Sequence, residues 1–453
     1  MTAVVVFCVL SALLFFGKLL RVAIPILQKL YLPSSVVGGL LGLLLLSIFR
    51  EYIPADYVGT IRSLPGFLIN VIFASLFLGA VTPGFKEIVR TAFPQLCMGQ
   101  ILAWGQYVVG LGVTALVLAP FFGVPFAFGN LLEIGFEGGH GTVGGMTATF
   151  KNFKWEDGIA LGYTVATAGM ILGITLGMGL INWALNKGII KSVRTFRERT
   201  LEERLGLHEE NAQPAAGRQT IQCDSLDSLA WHISLIGLAI LAGYGMLLLL
   251  QYLERTLLPD VTVRIFTGFP LFPLCMIGGI FLQLFAKKCR VEHLINHGQM
   301  QRLSGAALDF LVVSAITTIN ISVVMQNFLP LLILIIAGLV WSLFCVLYVA
   351  PRIFRTAWFE KAIAEFGQSL GVTATGLMLL RTVDPESKTD AAAAFGYKQL
   401  LHEPIMGGGL WTAFALTLVF TIGYLPVFLI SLVVLLLWLG CALILAKGLK
   451  KKG

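Results

Sequence analysis

The chain has 453 residues, 57% of them hydrophobic and only 12% charged, with a formal charge of +8. A mean hydropathy of +0.86 excludes a water-soluble globule with an ordinary charged surface. The basic excess does not point to nucleic acid, because Lys and Arg sit at the ends of apolar stretches and not along one face or stripe.

In chain order, apolar windows long enough to cross a bilayer core fall near 3–20, 33–49, 64–82, 95–119, 158–186, 229–252, 268–286, 303–324, 329–350, 393–422 and 425–446, which predicts eleven crossings. The first window has no basic segment before it and no small-residue cleavage site after it, so it reads as a retained helix. The seven cysteines are scattered and never form a CxxC pair. They read as packing residues, not as a disulfide framework or a zinc site.

Two stretches break the crossing pattern. One is 127–150, which ends in EGGHGTVGGMTATF, and the other is 363–382, IAEFGQSLGVTATGLMLLRT. Overlaid at one constant offset, they match Glu133 with Glu365, Gly135 with Gly367, Gly139 with Gly371, Gly144 with Gly376 and Met146 with Met378. Further pairs follow in the same order: Pro33, Gly38 and Gly39 with Pro273, Gly278 and Gly279; Leu64, Gly66 and Ser75 with Leu303, Gly305 and Ser314; Gly162, Tyr163 and Gly173 with Gly396, Tyr397 and Gly407. Glycine is abundant here, but such an ordered series is difficult to obtain by chance. The chain therefore reads as two repeats, 1–190 and 229–422, joined by a polar linker at 191–228. Residues 423–453 add one helix and a basic tail.

Orientation follows from the basic residues. With the N-terminus outside and each Gly-rich stretch returning to its own side, only Arg50, Arg62, Lys151, Lys154, Arg255 and Arg264 fall outside, and Lys398 lies at a span end. Five crossings per half then invert the second copy. The expected fold is an all-α polytopic membrane protein with two inverted-topology repeats of five transmembrane helices, each with a re-entrant hairpin, plus one extra C-terminal helix. It would sit in the cell (inner or plasma) membrane, with linker and C-terminus cytoplasmic.

Exposed peptide groups at membrane depth are tolerated only where they line a cavity or bind something, and inverted repeats with such backbone are what secondary transporters use. Amides at half-helix N-termini attract carboxylates. Carbonyls and Thr hydroxyls suit a hard cation such as sodium. The sequence suggests no chain of paired intramembrane acids that would form a proton relay.

The segments LPSSVVGGLLG at 32–42, GGHGT at 138–142 and LGVTAT at 370–375 resemble the glutamate:sodium symporter (ESS) family over both halves. The resemblance implies two re-entrant hairpins and a homodimer held by scaffold helices. It further implies sodium-coupled import of glutamate or a related acidic amino acid by an elevator-type movement, without a cofactor other than sodium as coupling ion. Another dicarboxylate or anion is the alternative substrate on the same fold. Glu137 and Glu365 stand where the family pattern has small or neutral residues. The moving unit is expected at 64–186 and 303–422, against a scaffold of 3–49 and 229–286.

For such a substrate the candidate site is Glu137, Gly139, His140, Gly141, Thr142, Asp309, Gly371, Thr373, Thr375 and Gly376, with Thr142, Thr373 and Thr375 offered to sodium. His140 is either a ligand donor or a packed helix-end histidine. Asp309 lies inside a span, where an unpaired charge costs at least about 2.5 kcal/mol, and is the first choice to meet an ammonium group; Glu137 is the second. Residues 367–371 also spell GxSxG, a nucleophile elbow when it follows a strand. An intramembrane serine hydrolase using Ser369 with His140 as base is thus the competing enzyme reading, and it lacks the strand. A passive channel is the third, and paired closed hairpins suit alternating access better than a continuous pore.

Overall fold

In the computed structural model, the described residues are 1–30, 32–80, 85–190, 200–208, 213–257, 266, 269–384 and 388–450. The expected linker at 191–199 and 209–212, the window edges at 81–82 and 268, and the tail at 451–453 lie outside them. We number the main helices α1 Thr2–Ala23, α2 Ser34–Ile48, α3 Ala55–Ser75, α4 Phe85–Val113, α5 Leu131–Phe136, α6 Gly139–Gly145, α7 Asp157–Asn186, α8 Ser228–Leu257, α9 Phe272–Lys288, α10 His297–Thr317, α11 Phe328–Phe344, α12 Trp358–Val383, α13 Ala391–His402, α14 Leu410–Ile422 and α15 Tyr424–Lys450. Among the described residues there is no strand, and eight helices are long and apolar enough to cross a membrane.

Seven of these eight fall on the expected windows, and the eighth, α12, covers the 363–382 stretch. The windows at 33–49 and 268–286 form helices of 15 and 17 residues, and two others are interrupted. The 303–324 window stops at Thr317, where Asn320 turns the chain and caps the next short helix through the Ser322 N–H at 3.2 Å. The 393–422 window breaks between His402 and Leu410. Pro404 brings no amide hydrogen there, and Gly407 and Gly408 take φ of 66° and 102°, which suits residues without a Cβ.

Helices α8 to α11 follow one another as α1 to α4 do, and the doubled-back α12 stands where α5 and α6 stand in the first half. The sharpest mark is a feature that sequence reading missed: α4 and α11 both run into a π-helical turn, Thr114–Leu118 and Cys345–Val349. These turns are closed by the Ala119 N–H to Thr114 carbonyl and the Ala350 N–H to Cys345 carbonyl. An Ala-Pro pair then begins one more helical turn in each case. Such turns are rare.

Glycines set the distance between helices. A Cβ on Gly38 of α2 would strike the Leu13 carbonyl of α1, and one on Gly278 of α9 the Ala239 carbonyl of α8. Their neighbours point the other way and cross between halves: Gly39 meets Ile316 of α10, and Gly279 meets the Ala74 carbonyl of α3. Helices α3 and α10 also pack on each other, so α1, α2, α3, α8, α9 and α10 form one frame. Helices α3 and α10, expected with the hairpin-bearing unit, thus pack on α2 and α9 through the faces of Gly39 and Gly279 as well as on α6. Two described parts of the stretch between the halves touch one end of this frame: Lys18 donates to the Leu205 carbonyl at 2.8 Å and Gln299 to the Arg218 carbonyl at 2.8 Å.

Overpacking of this kind costs about 1–3 kcal/mol. Gly278→Val is therefore expected to lower the unfolding temperature of the detergent-solubilised protein by several degrees. Gly245→Ala, at a glycine with nothing within 4 Å of its would-be Cβ, leaves it unchanged or raises it.

Candidate functional site

Three interruptions of helix structure converge. Between α5 and α6 the chain breaks at Glu137–Gly138, with Gly139 at φ 68°. Gly135 and Val143 flank this break and would lie about 12 Å apart in a continuous helix, yet both pack on α7 within about one turn, against Val165 and Gly162. Helix α12 breaks at Gly371 and Val372, the latter at φ 62° and ψ 172°, a region nearly reserved for glycine and costing about 1–3 kcal/mol. Residues 364 and 376 would be about 18 Å apart in a straight helix. A Cβ on Gly376 would instead strike the Ala364 carbonyl, so α12 doubles back on itself. The two breaks touch, since the missing Cβ of Gly139 points at Val372. The third break, 403–409, lies beside them: a Cβ on Gly407 would come within 3.6 Å of the Glu137 side chain, and one on Gly408 would strike the Thr142 hydroxyl.

These breaks wall a cavity of about 620 Å³ together with Ile69, Phe73, Ser304 and Leu308 of α3 and α10 and Tyr397, Gln399 and Glu403 at α13. It runs from buried Glu137 to exposed Gln301 and Gly305 in the N-terminal half of α10 and exposed Gly396 at the middle of α13. The cavity thus sits where the frame meets the helices carrying the breaks.

Behind its wall lies a buried ionisable network that the sequence reading did not foresee. Glu133 accepts from the Tyr107 hydroxyl at 2.6 Å, the Thr412 hydroxyl at 2.7 Å and the Gly407 N–H at 3.1 Å. Lys398, with a fully buried side chain, pairs with Glu365 at 3.0 Å and donates to Gln368 at 2.9 Å. Gln95 donates to the other Glu365 oxygen at 2.8 Å. His402 meets Glu137 at 2.5 Å, and Thr373 donates to Glu403 at 2.5 Å. The absence of paired intramembrane acids inferred from sequence is therefore corrected: α13 supplies partners to acids on both doubled-back segments. The signal was available in YKQLLHEP at 397–404, whose Lys398, His402 and Glu403 lie within an apolar window and fall under the rule that singled out Asp309.

Of the residues expected at the site, Glu137, His140, Gly141 and Thr373 line the cavity. Gly139 abuts Val372, which also lines it. Thr142 donates to the Gly138 carbonyl at 2.8 Å, Thr375 lies beside Gly371, and Gly376 packs on Ala364, so these act within the turns behind the wall. The three Thr hydroxyls face different neighbours and do not gather into one shell. Asp309 is not brought in: it is solvent- or lipid-exposed on α10 and hydrogen-bonds Ser35 of α2. His140 Nε2 lies 2.9 Å from the Thr167 oxygen, whose own hydrogen goes to the Tyr163 carbonyl at 2.8 Å. The ring must therefore donate there, and its N–H does not face the cavity. Ser369 spends its hydroxyl on the Phe366 carbonyl at 3.1 Å, near Ser342, with no base beside it among the described residues.

These features define a polytopic helical membrane protein with a substrate-sized internal site built from interrupted helices. The chain belongs to the sodium/glutamate symporter family, which matches residues 1–385. Among curated proteins no match was found. Membership makes sodium-coupled glutamate transport the activity of its family.

Removing one partner of a buried ion pair costs about 3–5 kcal/mol, because the other charge stays buried alone. Lys398→Met should accordingly lower the unfolding temperature sharply, and adding Glu365→Gln should restore much of the loss. Equal instability of the single and double variants would show that the pair is not the cause.

Proposed function

We propose that this protein imports glutamate or a closely related acidic amino acid, driven by sodium, by an elevator-type movement of α4–α7 and α11–α14 against the frame of α1–α3 and α8–α10. The observation that carries this reading is the cavity, which lies on the frame boundary with two touching helix breaks in its wall. In this reading residues 1–190 and 229–422 are inverted repeats, the stretches 127–150 and 363–382 are re-entrant hairpins, and 191–228 is a cytoplasmic linker. The segment 423–453 adds a further span and a cytoplasmic tail. The N-terminus is outside, so the cavity opens to the cytoplasm, and the frame is the homodimer surface.

The chemistry divides along the wall. Amides around Gly139, Gly141 and Gly371 favour the substrate carboxylates. Sodium is carried as cargo among tip oxygens, and because the Thr142, Thr373 and Thr375 hydroxyls are not gathered into one shell, backbone carbonyls at the breaks supply most of its ligands.

Proteoliposomes holding the purified protein are expected to accumulate labelled glutamate only with an inward sodium gradient. Equal accumulation driven by a proton gradient in sodium-free buffer would refute sodium coupling. In a background lacking the native cysteines, Val372→Cys should react with membrane-impermeant thiol reagents from the cytoplasmic side in one state and from the outside in the other, as sodium and substrate are varied. Labelling confined to one side in an active protein would refute the elevator.

A further inference from the structure

We propose that Glu137 and Glu403 form a cation-receiving pole of the cavity that binds the ammonium group of an amino-acid substrate, with His402 as the positioning residue for Glu137. The assignment rests on the transport reading and names the residues that make the substrate's amine a requirement.

The hydrogen-bond network fixes the state of His402. Trp104 Nε1, which can only donate, lies 2.8 Å from Gln100 Oε1. That orients the amide so that Gln100 Nε2 faces His402 Nδ1 at 3.1 Å, and Nδ1 must accept. The ring proton therefore sits on Nε2 and is given to Glu137 Oε1 at 2.5 Å. His402 enters the site as a neutral donor that orients the carboxylate and brings no charge to balance it.

The second oxygen, Glu137 Oε2, is buried and has no hydrogen-bond partner among the described residues, although Glu137 lines the cavity. Across the same wall, Glu403 is oriented by Thr373. The positive charge nearest at hand, Lys398, is committed to Glu365 and Gln368. Among the described residues lining the cavity there is no Lys or Arg. A buried carboxylate oxygen without a donor is costly, and an N–H brought by a ligand at this end of the cavity would satisfy it.

A hard metal ion takes six or more oxygens closed around it. Glu137 and Glu403 instead face a space of about 620 Å³ bordered by Met170, Leu308 and Leu377, which is the size and character of a site for an organic molecule. An ammonium group presents three N–H donors to this acidic pole, and its carbon chain lies along the apolar side. Dicarboxylates of the same length without the amine would place only negative or apolar groups there.

The test compares matched probes on purified full-length protein in sodium: L-glutamate with glutarate, and L-aspartate with succinate. Each amino acid should bind at least about 30-fold more tightly than its deaminated partner, as a desolvated charge pair requires. Glu137→Gln should cut that preference to a few-fold, and so should His402→Leu, whereas His402→Gln, which keeps a donor, should restore it. Ligand-free unfolding temperatures identify variants that have failed to fold, and Glu403→Gln, expected to cut the preference in the same way, is then read in place of Glu137→Gln. Equal binding of glutarate and glutamate overturns the proposal. So does an unchanged preference in folded Glu137→Gln, or a loss of sodium dependence in that variant with the preference intact. Sodium-driven uptake that shows no preference for the amine overturns this assignment and leaves the transport reading standing; no uptake and no binding of any probe overturns both.

Discussion

A backbone amide freed from its helix inside a bilayer has no water to turn to, and here the Gly407 amide turns to Glu133. That contact ties the first broken segment to the third break, and the same carboxylate takes Tyr107 of α4 and Thr412 of α14. One acid thus joins three pieces of chain distant in sequence. Its three donors satisfy it as a carboxylate, so it needs no counter-ion to be structural. Glu133 and Glu137 are one helical turn apart, but one is fully partnered and the other is not. That difference separates scaffold from site.

The matched acid, Glu365, is satisfied differently. It takes a lysine from α13 and an amide from Gln95, so the second segment is pinned by an ion pair where the first is pinned by neutral donors. Ion pairs at this depth contribute more to register than to net stability, since desolvation offsets most of their attraction. Lys398 holds α13 at one height against α12, and this in turn places His402 behind the cavity wall and Glu403 on it, one and more turns further on.

Much of this was legible in the residues. The two Gly-Thr stretches announced themselves by polarity in apolar surroundings, and the self-match of Gly139 with Gly371 located both breaks to within a residue. Close helix packing at Gly38 and Gly278 was also readable, because consecutive glycines in a span have few other uses. The interruption at 403–409 was not, since a window average over Pro404 and three glycines stays apolar. Asp309 misled for a related reason: periodicity shows that a residue is in a helix but not which neighbour its face meets, and it meets Ser35. His402 and Glu403 were passed over because Lys398 beside them was read as marking the end of a span, when its side chain is wholly buried.

The two π-helical turns have a bearing on how this chain tolerates change in length. Each holds one residue more than the regular helix it interrupts, and each stands just before an Ala-Pro pair. Elsewhere in α4 or α11, losing a single residue would rotate everything beyond it by about 100° and turn buried faces to lipid. Within Thr114–Leu118 or Cys345–Val349, the same loss would convert a wide turn into an ordinary one and leave the flanking faces where they are. Each long helix therefore carries a one-residue slack immediately ahead of its most constrained neighbour, at the same point in both halves of the chain.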